Sequence, residues 1–370
     1  MRIAVLTYHK AHNCGAMLQA WALQEFLRSK DHLVEFPSCN NVGVPPRWIK
    51  LRALQEARGF AKLRLWLSQL TVNLFSIGWE DWNRFAYNRF RRRFLTERSC
   101  TPNEFSGHYD CVIIGSDQVW HPIISKSDTP LFLAENIPTS VPVVSYAASF
   151  GDTMPAEPAL KRLLAALPRF KAISVREELA AATLHKAGFA AKTVLDPTFL
   201  LRHEGYRPLV GPRPYRKKYM FLYAVSLSDF VLQSARKLAV MLDLELVVCG
   251  VYVHTRYHTP PECICGVSPE RMVTYIAHAE YVLASSFHGT ALPVILSKPF
   301  LSICDQLERP NARISTLLEK TGLSNRIVDS SIPIETMYSR LTMPVDWVAV
   351  QDRIAMLRQD SIAFLKGALA

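Results

Sequence analysis

The sequence predicts an α/β protein built of two doubly wound domains that face each other across a cleft. Three observations carry that reading. Short apolar runs alternate with helical segments along most of the chain, the pattern of a parallel sheet covered on both faces. The alternation restarts near residue 216, after "LLRHEGYRPLVGPRPYRK", a stretch rich in Pro, Gly and Arg that suits a linker. A chain of 370 residues with 49% hydrophobic content also suffices for two cores of ~150–200 residues each.

Taken in order, "RIAVLTY" reads as a strand, "GAMLQAWALQEFLRS" as an amphipathic helix and "HLVEF" as a second strand. A basic helical arm follows over about 47–98, and then the strand runs "DCVIIGS", "VPVVSYAASF", "AISV" and "KTVLDP". Beyond the linker, the strands "KKYMFLYAV", "LELVVCG", "EYVLASS" and "FLSIC" are separated by the helical "FVLQSARKLAVML", "PERMVTYIAHA" and "TALPVILS". This gives a Rossmann-like first domain over 1–205, a Rossmann-like second domain over 206–345, and a C-terminal helix over 346–370. In such sheets ligands bind at the carboxyl ends of the strands.

Composition narrows the classes. The N-terminal apolar stretch is too short for a secretion signal, so a cytoplasmic place is expected. Eight cysteines scattered through a long chain read as reduced thiols. Cys249, His254, His258, Cys263 and Cys265 cluster, but their C-x4-H-x3-H-x4-C-x-C spacing matches no usual zinc pattern, and no metal is expected. The net charge of +11 is concentrated: residues 47–98 hold twelve Lys or Arg against four Asp or Glu, a net +8, interleaved with Trp, Phe and Leu. That mix suits either an interfacial element on an anionic membrane or an arm that buries its aromatics on the body. No run reaches the ~18 apolar residues of a spanning helix, and no nucleic-acid module is present.

Candidate chemistry gathers at the predicted strand ends. After the first strand, Asn13 and Gly15 form a tight turn before a helix whose free N–H groups suit an anion or a sugar hydroxyl. "GSDQVW" places Ser116, Asp117 and Gln118 at another strand end, with Trp120 able to cover a sugar ring. "AISVREE" ends a strand on Arg176, either a surface ion pair or a clamp for a carboxylate or phosphate. Asp196 in "VLDPTF" reads as a turn-fixing residue. In "SSFHGTALPVILSKPF", Pro293 belongs in a first helical turn, which puts the helix start near Gly289 or Thr290 and His288 at its mouth, beside Ser286. There His288 is a core histidine or an anion-binding one.

In order and spacing, "HNCGAMLQAWALQEFL", "YDCVIIGSDQVWHP", "VVSYAASFG", "ISVREE", "VLDPTFLL", "SSFHGTALPVILSKPF" and "RISTLLEKTGLSNR" resemble the polysaccharide pyruvyl transferase family, from residue 1 to about 326. The resemblance implies a GT-B-like fold and transfer of pyruvate from phosphoenolpyruvate, a co-substrate, to two hydroxyls of a lipid-linked or nucleotide-linked sugar, forming a ketal with no further cofactor. The first domain would hold the acceptor through Asn13, Gly15, Ser116, Gln118 and Trp120. The second would hold the donor through Ser286, Gly289 and Thr290, with Arg176. Some members carry Arg-Leu before the His-Gly pair where this sequence has Ser286 and Phe287; Arg309 and Arg313 are the basic residues expected to substitute. His288 would be the acid or phosphate ligand and Asp117 the base. Two rivals share the fold: a GT-B glycosyltransferase, which would bind a nucleotide sugar, and a non-catalytic carbohydrate-binding relative, which would show no turnover.

Overall fold

Two parallel sheets, each reversing its strand order once, organise the chain. The computed structural model describes residues 1–38, 84–121, 129–151, 154–224, 227–250, 262–264, 267–304 and 312–370. The first sheet contains β1 (Arg2–Leu6), β2 (Leu33–Pro37), β3 (Glu97–Arg98), β4 (Cys111–Ile114), β5 (Val143–Ser145), β6 (Phe170–Val175) and β7 (Ala191–Thr193), in the order β3-β2-β1-β4-β5-β6-β7. The second contains β8 (Tyr219–Ala224), β9 (Glu245–Gly250), β10 (Tyr281–Ala284), β11 (Phe300–Ile303) and β12 (Ile327–Val328), in the order β12-β11-β10-β8-β9. β4 and β8 are buried along their whole length, as strands covered on both faces must be. The reversals fall between β1 and β4, in register Ile3 to Cys111, and between β8 and β10, in register Met220 to Tyr281. Such switch points open a crevice at the strands' carboxyl ends.

The helix Cys14–Arg28 joins the two units. The sequence suggests an amphipathic helix, yet every residue except Glu25 and Arg28 is buried, because the second unit covers its outer face. Its Cys14 Sγ lies 3.4 Å from the carbonyl of Val267, and Met17, Leu18 and Trp21 share one hydrophobic cluster with Met272, Ile276 and Leu292 of the second unit.

The Pro/Gly/Arg-rich linker is docked rather than free. Tyr206, fully buried in the 3₁₀ turn His203–Leu209, donates its hydroxyl to the Thr198 carbonyl at 2.8 Å and meets Trp21 edge-on at 5.4 Å. The C-terminal helix Trp347–Leu369 bridges both units. Gln351 donates to the Val294 carbonyl at 2.9 Å on the second unit, whereas Arg358 donates to the Phe199 carbonyl at 2.6 Å on the first.

Of the basic arm, residues 47–83 lie outside the described residues. The rest forms a helix over 84–94 that buries Tyr87 and Phe90 beside the first helix and is tied to it by Gln24, which donates to the Phe94 carbonyl at 2.7 Å. Arg91 is engaged by Glu97 at 2.6 and 2.9 Å, while Arg89, Arg92 and Arg93 are exposed. His254, His258 and Cys265 also lie outside the described residues. Among the described residues no group of three His, Cys, Asp or Glu is placed to hold a metal ion, and no helix is long and apolar enough to cross a membrane.

Candidate active site

The ends of β4, β6 and β7 and the start of the helix Phe287–Ile295 converge on one charged cluster. Parallel bridges from Asp117 to Ala148 and from Ala148 to Val175 carry the sheet past its named strands and align these ends. Asp117 and Ala147 take left-handed backbone conformations, φ 74° and 50°, which turn the chain out of the sheet and up to the cluster.

Asp196 is the hub. Its carboxylate accepts from Arg176 Nη1 at 2.6 Å, from the Thr198 amide at 3.0 Å and hydroxyl at 2.7 Å, and lies 3.3 Å from Ser116 Oγ and 3.4 Å from His288 Nε2. Burial pushes this carboxyl up, but the charges of His288 and Arg176 and the Thr198 amide outweigh it and hold the group well below the usual carboxylate range.

Around Arg176 stand three carboxylates and one ring. Asp117 Oδ1 is 3.8 Å from Nη2, Glu177 Oε1 is 3.7 Å from Nε, and the guanidinium lies over Phe287 at 4.8 Å. Burial alone would lower the guanidinium's pKa; Asp196, Glu177 and Asp117 reverse that and raise it. Among the described residues Nε and Nη2 of this buried cation make no hydrogen bond. Glu177 is pushed up by burial, only partly offset by Arg176, Ser149 and Arg313. A cavity of about 70 Å³ adjoins the cluster, with Arg176, Asp196, Phe287, Arg313 and Lys320 on its wall.

Two helix N-termini meet at His288. Asn13 caps the first helix by accepting from the amides of Gly15 and Ala16, and Ser286 caps the other by accepting from Gly289 at 3.1 Å. A Cβ at Gly15 would overlap the His288 imidazole, so only glycine permits this approach. The second helix begins at Phe287, two to three residues earlier than the proline suggests, because Ser286 supplies the cap. Pro293 therefore lies inside it and removes the N–H that would bond Gly289.

Several residues expected to contact substrate have their side chains engaged within the protein instead. Trp120 cannot cover a sugar ring: it is buried, donates Nε1 to the Phe132 carbonyl at 3.1 Å and packs edge-on against Phe170. Ser116 is fully buried, with its hydroxyl directed at Ala147 and Asp196. Thr290 is fully buried against Ser302, and Gly289 is there for fit, since a Cβ would come within 2.8 Å of the Tyr223 ring. Arg176 is no surface ion pair, being 7% exposed. Gln118, in the orientation that satisfies both groups, accepts from Arg313 at 2.9 and 3.1 Å. Arg309 lies outside the described residues.

Sequence reasoning missed the centrality of Asp196. A pre-proline aspartate reads as a local cap, which it is, but its other partners lie 20 and 80 residues away and leave no local signal.

Two covered parallel sheets meeting at a charged junction define the two-domain GT-B architecture. Solved structures agree on that fold. The Neisseria meningitidis UDP-GlcNAc 2-epimerase bound to UDP-GlcNAc is similar at 11% identity and TM-score 0.50, over 99% of this chain and 100% of that one. The Methanocaldococcus jannaschii UDP-GlcNAc 2-epimerase gives 10% and 0.51 over 94% and 93%, and the S. aureus MnaA-UDP co-structure 11% and 0.51 over 95% and 90%. No curated protein sequence matches the chain. The family model for polysaccharide pyruvyl transferase matches residues 13–303, and the chain belongs to that family.

Proposed function

We propose that the protein transfers pyruvate from phosphoenolpyruvate to two hydroxyls of one sugar in a cell-surface or exopolysaccharide precursor, giving a cyclic ketal and inorganic phosphate. The observation that carries this is the Arg176–Asp196–His288 cluster at the junction of the two units, in a chain of this family. Arg176 Nε and Nη2 receive the donor's carboxylate or phosphate. Arg313, held by Gln118, supplies the second cation where Ser286 provides none.

His288 gives a proton to the terminal methylene, leaving an oxocarbenium-like C2 that a sugar hydroxyl attacks. The C2–O bond to phosphate then breaks, its electron pair leaving on the phosphate oxygen, and the second hydroxyl closes the ring. Two hydroxyl protons are released: one replaces the proton given to the methylene and the other leaves with phosphate. Asp117, whose side chain is 17% exposed and faces Arg176, is the base that takes the first of them. No redox change occurs, so phosphoenolpyruvate is assigned as co-substrate and no redox cofactor is assigned. The acceptor is lipid-linked or nucleotide-linked. The exposed arginines of the 84–94 helix hold the protein peripherally at an anionic, cytoplasmic membrane face.

The test is phosphate release from phosphoenolpyruvate over a panel of lipid-linked and nucleotide-linked sugars. Release that needs both donor and acceptor is expected. Turnover of a nucleotide-sugar donor with none of phosphoenolpyruvate would overturn the reading in favour of a glycosyltransferase.

A further inference from the structure

The turn that carries Asp196 is fixed from outside itself at four points. Leu195 donates its amide to Ser361 Oγ at 2.9 Å and accepts at its carbonyl from Tyr146 at 3.0 Å. The Thr198 carbonyl accepts from Tyr206 at 2.8 Å and the Phe199 carbonyl from Arg358 Nε at 2.6 Å. Two of these four ties come from the C-terminal helix, which lies beyond the residues 13–303 that the family model covers.

Arg358 is an unexpected choice for a purely packing contact. It is 7% exposed and has no carboxylate within ion-pair distance among the described residues. Burial and the nearby Arg202 push its pKa down, only partly offset by Tyr206 and Glu204, so the fold bears a cost to keep a cation there. Among the described residues its one hydrogen bond goes to the carbonyl three residues past Asp196. Ser361, also buried, donates its hydroxyl to the Leu357 carbonyl at 2.8 Å and so presents a lone pair to the Leu195 amide, one residue before Asp196.

We propose that Arg358 and Ser361 are positioning residues that hold the Asp196 carboxylate against Arg176 and His288, making the C-terminal helix part of the active-site framework. The proposal rests on the transfer reading for its catalytic consequence alone.

The experiment compares Arg358→Met, Arg358→Lys and Ser361→Ala with Gln351→Ala, which removes an anchor of the same helix on the second unit, away from the Asp196 turn. Arg358→Met should lower kcat ~10–100-fold, the scale for a small misplacement of reacting groups, while thermal unfolding stays cooperative. The acid limb of its kcat/KM profile should move to higher pH, because a loosened Asp196 protonates more readily. Arg358→Lys should restore most of the rate, and Gln351→Ala should change neither quantity per folded molecule. Arg358→Met with wild-type kcat and acid limb, or Gln351→Ala matching its losses, would overturn the proposal. If Arg358→Met does not fold, Ser361→Ala decides by the same two readouts. If the wild type itself releases no phosphate, the transfer reading fails, and positioning is judged from unfolding instead: the acid-side loss of stability linked to Asp196 should shrink in Arg358→Met or Ser361→Ala but not in Gln351→Ala, and equal loss in all would refute it.

Discussion

His288 is 8% exposed, and its imidazole touches both helix starts and the Asp196 carboxylate, so packing and proton transfer make opposite predictions for its removal. As the acid, His288→Gln should lower kcat ~10²–10⁴-fold with cooperative unfolding retained. As a packing residue it would lower the melting temperature and spare turnover per folded molecule. Gly15→Ala tests the same contact from the other side, since the added methyl must displace the ring; a fall in kcat without loss of fold is expected, measured alongside His288→Gln. Arg176 behaves differently, because its loss strands a buried carboxylate. Arg176→Ala should cost about 3–5 kcal/mol in denaturant unfolding, the range for breaking a buried pair, besides weakening donor binding. For Asp196 the sign follows from its depressed folded-state pKa. Its ionised form stabilises the fold above the ordinary aspartate range, and that contribution is lost as pH falls through the folded-state value. The stability gap between wild type and Asp196→Asn should therefore be flat near neutrality and narrow below roughly pH 4.

At the scale of elements, the central strands were legible because each is a short apolar run bounded by polar turns. β3 and β12 were not: two-residue edge strands bury too little to leave a pattern. The start of the His288 helix was displaced because a proline in a helix signals the first turn, and nothing local shows that the tertiary fit tolerates Pro293 deeper in. Arg176 at a strand end and His288 at a strand-to-helix turn were legible as candidate anion ligands, whereas the burial of Trp120 and Ser116 depends on residues far along the chain. The 84–94 helix resolves in part the two readings of the basic arm, since Tyr87 and Phe90 pack on the body while Phe85 and three arginines face outward. Reversing Arg89, Arg92 and Arg93 to Glu should abolish binding to anionic vesicles, and wild-type binding should weaken as salt rises. Equal sedimentation with neutral vesicles, or with none, would reduce the arm to packing. Arg91 is left out of that test because its bond to Glu97 is structural.

Across the whole molecule, one hydrophobic cluster runs from Ile3 through the first helix to Leu292 and on to Leu365 of the C-terminal helix. Two units that share a core and a bridging helix should unfold together, so calorimetry should show one transition, and two separated transitions would contradict this packing. The shared core also explains why the cluster of Arg176, Asp196 and His288 can be assembled from both units. What that cluster does is tested most directly by the mass of the acceptor after reaction with phosphoenolpyruvate in heavy water. Pyruvyl transfer with protonation at the methylene predicts an acceptor that has gained pyruvate as a ketal, carrying deuterium in its methyl group, with phosphate released in equal amount. An acceptor unchanged by phosphoenolpyruvate, or one that gains a sugar from a nucleotide donor instead, would contradict the account.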